Sequence, residues 1–255
     1  MLFSNEIRMT FCVGIKVKEG LVAIADTRIT SGTTISVKKK ISVEQSAHRS
    51  LFIMTSGLRS VRDKVMYYFN DLEQDESQYN KLYKVVNTFG DLVKKVAEED
   101  RASLEKSGLR FNLNTIIGGQ LKDDTEHKLF LIYSEGNWVE LDQESSYVII
   151  GNSGHGKTIL NRVLKPSTTL KQALKAAFLS FDSTRLSAND VDFPIDVAVY
   201  ENNSFSILEH RFEKQDLETI SSFWEAEVMA AIDRIPEEWI AQITGTQAKV
   251  KHTPS

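Results

Sequence analysis

Short apolar segments separated by turn residues dominate the amino-terminal part of the chain. Residues 11–17 and 21–25 are mostly apolar and flank a Glu-Gly pair, a pattern typical of a β-hairpin. Two more apolar runs, starting at Ile41 and Leu51, have the length of strands buried in a sheet. The pattern therefore predicts a sheet built around an opening hairpin.

The spacing of apolar residues becomes helical after Gly57. Two consecutive amphipathic helices are predicted, over residues 61–72 and 82–96. Because strands and helices come in separate runs, the order predicts an α+β layered fold rather than a βαβ sheet. The later predicted elements are strands at 113–117, 127–133, 138–141 and 147–150, helices at 158–164 and 170–181, and strands at 195–200 and 205–208.

No repeat, low-complexity tract or linker divides the chain before its last strand, so one domain is predicted over residues 10–212. Residues 213–245 are interpreted as a helical extension in which Trp224 and Trp239 occupy apolar positions. This extension either packs on its own domain or contacts a neighbouring subunit. Residues 246–255 are expected to be disordered.

The composition limits the class of protein. With 255 residues, 41% hydrophobic and 26% charged, the chain is typical of a soluble globular protein, and a net charge of -4 argues against nucleic-acid binding. The lone cysteine, Cys12, excludes an internal disulfide and favours a reducing compartment. Residues 1–8 do not resemble a signal peptide, and no segment is long enough to cross a bilayer, so a cytoplasmic protein without membrane partners is expected.

Three residues around the opening hairpin suggest chemistry. Thr10 begins the hairpin, Asp26 ends it, and Lys40 closes a lysine cluster ahead of the next apolar run. A hydroxyl, a carboxylate and an ammonium on neighbouring strands are the parts of an amine-assisted threonine hydrolase. The duller alternatives are a strand threonine bonded to the backbone and a solvated basic patch.

These residues carry a resemblance to a known family. The order Thr-x9-Gly-Leu-Val-x3-Asp-x-Arg, followed by Lys-Lys-Ile, resembles the opening of proteasome β-type subunits, specifically the bacterial homologue called Anbu. The similarity returns in order along the chain as far as about residue 200, in the blocks 52–57, 149–151, 156–162, 179–184 and 193–197. The resemblance implies a four-layer αββα sandwich of the N-terminal nucleophile hydrolase type.

The resemblance also implies roles for individual residues. Thr10 matches the nucleophile, and its freed α-amine, with a pKa of about 7.7–8.0, would serve as the base. Lys40 matches the active-site lysine, with Lys39 as the fallback, and Asp26 would keep that lysine charged and oriented. Gly57 matches the glycine whose N–H stabilises the oxyanion.

A second group of matches supports the amine. Asp182 matches the family's acid at this place, and Arg28 matches its arginine. The hydroxyl partners considered for Asp182 are Ser153, Ser183 and Ser187. The family pattern places a serine three residues after the acid, where this chain has Arg185, so the choice of serine stays open.

The family works as rings or helical washers of subunits. We therefore expect a homo-oligomer that acts on peptides or proteins without a cofactor or metal; whether an ATP-dependent unfoldase assists it stays open. Residues 1–9 are expected to be a leader or to reflect an upstream start, with Met9 as initiator. The alternative is a non-catalytic ring subunit that never frees Thr10.

One motif favours a different function. Residues 151–158 fit the P-loop pattern G-x-x-x-x-G-K-[ST] and stand between an apolar strand and a helix. A nucleotide binder is thus the second alternative. The predicted order lacks parallel βαβ units, and no later strand ends on an aspartate for Mg²⁺, so this alternative is less favoured.

Overall fold

The computed structural model describes residues 10–31, 34–72, 79–142 and 145–244. Two five-stranded antiparallel sheets face each other, and helices cover their outer faces. The predicted α+β fold with four αββα layers is confirmed. The expected leader, residues 1–9, and the expected disordered tail lie outside the described residues.

The first sheet contains the opening hairpin at its centre. Its strand order is β10-β1-β2-β11-β12, and every neighbouring pair is antiparallel. The strands are β1 Phe11–Val17, β2 Gly20–Asp26, β10 Tyr147–Gly151, β11 Ile195–Glu201 and β12 Ile207–Phe212. Every residue of β1 and β2 is buried, because neighbouring strands flank the hairpin and both its faces are covered.

The second sheet is a meander. Its strands follow the chain as β5 Ile41–Ser46, β6 Arg49–Gly57, β7 Leu113–Leu121, β8 Lys128–Ile132 and β9 Trp138–Glu140. A separate two-stranded ribbon, β3 Arg28–Ser31 and β4 Thr34–Val37, joins the two sheets. The sequence did not predict this ribbon, because each strand has only four residues and the two together contain only three apolar ones.

An apolar core fills the space between the sheets. The second sheet supplies side chains such as Phe52 and Ile116, and the first supplies both small ones, such as Ala23 and Ala198, and the large Tyr200. Gly14 of β1 faces Ile116 of the second sheet, and a Cβ on Gly14 would lie 3.1 Å from Ile116 Cγ2. Large residues therefore interlock with small ones, and the distance between the sheets is fixed.

The helices cover the outer faces. Helices α1 Arg59–Leu72 and α2 Leu82–Lys106 bury one apolar stripe each against the second sheet. Helices α3 Lys157–Val163 and α4 Leu170–Arg185 follow β10, and α4 packs on β1 and β2. A capping box of Thr169 and Gln172 fixes the start of α4.

The described residues divide into two compact units, one that ends at Lys214 and one that begins at Gln215. Helices α5 Lys214–Asp233 and α6 Glu238–Thr244 contain no buried residue. Large apolar side chains along them are exposed: Ile220, Phe223, Val228, Met229, Ile232, Trp239, Ile240 and Ile243. None of the described helices has both the length and the apolar character needed to cross a membrane.

Candidate active site

The hairpin brings Thr10 and Asp26 together at its open end. Cys12 pairs with Ala25, so the register sets Phe11 beside Asp26 and Thr10 one residue beyond. Asp26 Oδ1 accepts hydrogen bonds from the Thr10 hydroxyl at 2.7 Å and from the Phe11 backbone N–H at 2.8 Å. The carboxylate therefore fixes the orientation of the candidate nucleophile.

Lys40, which directly precedes β5 of the second sheet, reaches the same carboxylate oxygen. Its Nζ lies 2.8 Å from Asp26 Oδ1 and 2.8 Å from the carbonyl oxygen of Arg28. The side chains of Lys40 and Asp26 are only 6% and 0% exposed. A buried ion pair of this kind is costly to desolvate, so it indicates a role other than stability alone.

Burial dominates the electrostatics of Asp26. Desolvation raises its pKa above the usual range, while the Lys40 ammonium and the hydrogen bonds from Lys40, Phe11 and Thr10 oppose that rise. The second oxygen, Oδ2, is buried and accepts no hydrogen bond from the described residues. All of the bonding to this carboxylate thus converges on Oδ1.

The end of β10 and the start of the loop after it hold the backbone of Thr10. Asn152 N donates to the Thr10 carbonyl at 2.7 Å, and Gly151 adopts a φ of 86°. A Cβ on Gly151 would lie 1.9 Å from that same carbonyl oxygen, so only glycine fits there. Ser153, half-buried, follows directly in this loop. Sequence reasoning missed Asn152, because a backbone donor leaves no side-chain signature.

Gly57 ends β6 at the same end of the second sheet as Lys40, since Ile41 pairs with Met54. Its φ is 146°, and a Cβ there would lie 2.1 Å from the Asn112 carbonyl oxygen. Glycine is therefore required by the backbone path itself. Its oxyanion role stays a prediction.

Asp182 lies on α4, which packs against the hairpin. The Arg185 guanidinium donates to its Oδ1 from Nε at 2.8 Å and from a terminal nitrogen at 2.7 Å. Phe181, next to Asp182, packs its ring 6.0 Å from that of Phe11. Arg185, which stands where the resemblance implies a serine, thus pairs with Asp182 itself.

Of the other two suggested serines, Ser183 lies on the last turn of α4, and Ser187 lies just beyond its end. Ser187 Oγ donates to the carbonyl of Ser183 at 3.4 Å, and Ser187 is exposed. This bond is local to the helix and does not involve the hairpin. Their role as partners of Asp182 remains a prediction.

Lys39 and Arg28 make separate ion pairs. Lys39 is half-exposed and pairs with Glu209 on β12, so the structure brings Lys40, not Lys39, to Asp26. Arg28 donates from a terminal nitrogen to Asp192 at 3.0 Å. The Arg28 side chain therefore does not pair with Asp26, but the Arg28 backbone carbonyl accepts a hydrogen bond from Lys40.

The P-loop-like segment has a packing explanation. Strand β10 pairs antiparallel with β1, and Lys157, the first residue of the short helix α3, is exposed. A Cβ on Gly156 would lie 2.2 Å from Ser180 Oγ, so the loop is pressed onto α4. The described residues therefore lack the parallel strand–loop–helix unit that the motif requires.

Two stacked antiparallel sheets between helical layers define the αββα sandwich class of protein, here with Thr10, Asp26 and Lys40 at one end of the strands. A family model described as "Proteasome subunit" matches residues 9–199. The chain belongs to the proteasome subunit family. A comparison with curated proteins finds no match.

Solved Anbu structures resemble the chain closely. An Anbu (Gly-1) mutant from Hyphomicrobium sp. strain MC1 is 30% identical, with a TM-score of 0.82, over 89% of this chain and 98% of that one. Anbu (ancestral beta-subunit) from Yersinia bercovieri is 30% identical, with a TM-score of 0.81 and the same coverage. The helical assembly of the Anbu complex from Pseudomonas aeruginosa is 25% identical, with a TM-score of 0.80, over 89% and 97%.

Proposed function

We propose that this protein is a proteasome-type threonine peptidase that acts as a homo-oligomer. The observation that carries the proposal is the convergence of the Thr10 hydroxyl and the Lys40 ammonium on one buried oxygen of Asp26. A threonine in a purely structural role needs no buried cation beside it.

In the first step, the α-amine of Thr10 accepts the hydroxyl proton. This requires cleavage of the Met9–Thr10 bond, which frees an amine with a pKa near about 8. The Thr10 oxygen then attacks the substrate carbonyl carbon. Lys40 lowers the energy of the developing negative charge on that oxygen, and Asp26 holds the ammonium in place.

In the second step, the tetrahedral intermediate collapses. The amide C–N bond breaks, the leaving amine takes the proton from the Thr10 ammonium, and the acyl group remains on the Thr10 oxygen. Water then attacks this ester, with the Thr10 amine again as base, and releases a carboxylic acid. The Gly57 N–H is the proposed oxyanion donor, and Asp182 with Ser153, Ser183 or Ser187 supports the amine.

Assembly is the second part of the proposal. The similar protein from Pseudomonas aeruginosa is described as a helical assembly. Helices α5 and α6 expose apolar side chains and bury none of their residues, so they are the surface we assign to contacts between subunits.

The test combines mass spectrometry and substitution at Thr10. We expect the active protein to have a mass that begins at Thr10. Thr10→Ala should abolish hydrolysis of fluorogenic peptides and leave assembly intact, whereas Thr10→Ser should retain part of the activity because the hydroxyl remains.

Two results would contradict the proposal. Active protein that retains Met1–Met9 excludes the amine as base. Wild-type protein that assembles but neither hydrolyses peptides nor reacts with an electrophilic peptide at Thr10 supports the non-catalytic ring subunit instead.

A further inference from the structure

Thr27 lies between the two groups that hold Lys40. The carboxylate of Asp26 and the backbone carbonyl of Arg28 each accept a hydrogen bond from Lys40 Nζ at 2.8 Å. Thr27, the residue between them, is fully buried. The hydrogen bonds of Thr27 therefore affect the positions of both acceptors, the Asp26 carboxylate and the Arg28 carbonyl.

Each polar group of Thr27 has a partner. The Pro194 carbonyl oxygen accepts hydrogen bonds from the Thr27 hydroxyl at 2.6 Å and from its backbone N–H at 3.0 Å. The Thr27 carbonyl accepts from Lys38 N at 2.8 Å. The residue is thus held between the start of β11 on one side and the lysine segment on the other.

The segment that holds Thr27 also holds the Arg28 side chain. Asp192 Oδ2 accepts from Arg28 at 3.0 Å, and Asp192 Oδ1 accepts from Phe193 N at 2.9 Å. The Arg185 guanidinium lies over the Phe193 ring, 5.5 Å from its centroid. Residues 192–194 therefore contact both Thr27 and Arg28 from outside the hairpin.

The pairing of the strands does not require the hydroxyl of Thr27. Ile195 pairs with Asp26, and the backbone bond from Thr27 to Pro194 simply continues that ladder. Any residue except proline can make this backbone bond. The hydroxyl adds a second, buried bond to the same oxygen, and this bond fixes the peptide that connects Asp26 to Arg28.

We propose that Thr27 is a positioning residue for Lys40, and that Asp192 supports it through the Arg28 side chain. The hydroxyl holds the 26–28 backbone so that the Asp26 carboxylate and the Arg28 carbonyl stay within hydrogen-bond reach of the ammonium. The proposal rests on the proposed function, since it assigns a task to the same lysine.

The test compares Thr27→Val with Thr27→Ser. Valine fills the same volume without the hydroxyl, whereas serine keeps it. We expect Thr27→Val to lower kcat about tenfold to a hundredfold, because small displacements of catalytic groups have effects of this size. KM should change less than about twofold, and Thr27→Ser should recover most of kcat.

The rates are normalised to the number of reactive Thr10 sites, titrated with an electrophilic peptide. Loss of folded protein alone reduces the number of sites and leaves kcat per site unchanged. If Thr27→Val does not fold, Asp192→Asn provides the second variant, with Asp190→Asn as its matched control. Asp192→Asn should lower kcat per site, and Asp190→Asn should not.

Crystal structures of the wild-type protein and Thr27→Val give a readout that does not depend on turnover. We expect at least one of the two Lys40 hydrogen bonds in the variant to exceed about 3.5 Å. A variant with both bonds intact and an unchanged kcat per site overturns the positioning role. A wild-type protein without hydrolysis overturns the proposed function, while the position of Lys40 still decides this inference.

Discussion

The ammonium of Lys40 lies 2.8 Å from Oδ1 of Asp26, although the two residues adjoin different sheets. Asp26 ends β2 in the first sheet, and Lys40 immediately precedes β5 in the second. The candidate site is therefore assembled only when the two sheets pack against each other. A single hairpin could position Thr10 and Asp26 but not the cation.

The first prediction concerns the choice between two neighbouring lysines. Lys40→Met should lower peptide hydrolysis at least about a hundredfold, because it removes the charge that stabilises the nucleophile. It should also lower the free energy of unfolding by about 3–5 kcal/mol, since Asp26 is left buried without its cation. Lys39→Met is the control, because Lys39 is half-exposed. Equal losses in both variants would contradict the assignment; kinetics and chemical denaturation measure them.

The second prediction is a pH dependence set by Asp26. Because burial raises its pKa, the carboxyl takes up a proton at a higher pH than an ordinary aspartate. The free Thr10 amine sets the first acid limb of the pH–rate profile, and protonation of Asp26 should add a second fall at lower pH, above the usual aspartate pKa of about 3.9. A second fall at or below that value would show that the ion pair outweighs desolvation.

The same shift has a consequence for stability. A carboxyl whose pKa is higher in the folded state favours folding at low pH, and this contribution is lost as pH rises through the folded pKa. The free energy of unfolding of the wild type, relative to Asp26→Asn, should fall as the pH rises from the ordinary aspartate pKa to the raised pKa of folded Asp26. Urea denaturation at a series of pH values measures it, and a difference that rises with pH would contradict the raised pKa.

The third prediction concerns the cysteine beneath Thr10. Burial raises the pKa of Cys12 to about 12, so almost no thiolate exists near neutral pH. Iodoacetamide should leave the native protein unmodified and should add one group after denaturation in guanidinium chloride. Intact mass measures both states. Rapid modification of native protein would show that the strand opens in solution.

The fourth prediction tests the assembly surface. Phe223 on α5 is 63% exposed within the chain, so Phe223→Lys should leave the fold intact. If α5 contacts a second copy, the added charge must be buried there, and the assembly should become smaller by light scattering. Glu225→Lys, at an exposed polar position, is the control. An unchanged particle size in Phe223→Lys would exclude this face as an interface.

Local patterns were sufficient to predict the fold around the hairpin. The apolar runs of β1, β2 and β6 are buried as expected, because strands covered on both faces need continuous apolar sequence. The proximity of Thr10 to Asp26 followed from the hairpin register. These features depend on residues close in sequence, so periodicity and turn chemistry are enough to predict them.

Other parts of the site could not be predicted from local patterns. Arg28 and Asp192 are 164 residues apart in sequence, and Thr27 bonds a carbonyl 167 residues away. Neither contact leaves a periodic signal. The sequence left Lys39 as the fallback for Lys40, and only the packing of the sheets shows which one faces Asp26.

The packing of the core between the sheets also determines the geometry of the candidate site. A Cβ on Gly14 in the hairpin would lie 3.1 Å from Ile116 Cγ2, so the contact between these two residues sets how far the lysine-bearing sheet stands from the hairpin. Two requirements therefore limit substitutions in this core: the sheets must pack, and the Lys40 ammonium must stay within hydrogen-bond distance of Asp26. Descendants of this chain that repack the core loosely can keep their shape and still lose the alignment of Lys40 with Asp26, so activity is the more sensitive record of change at these positions.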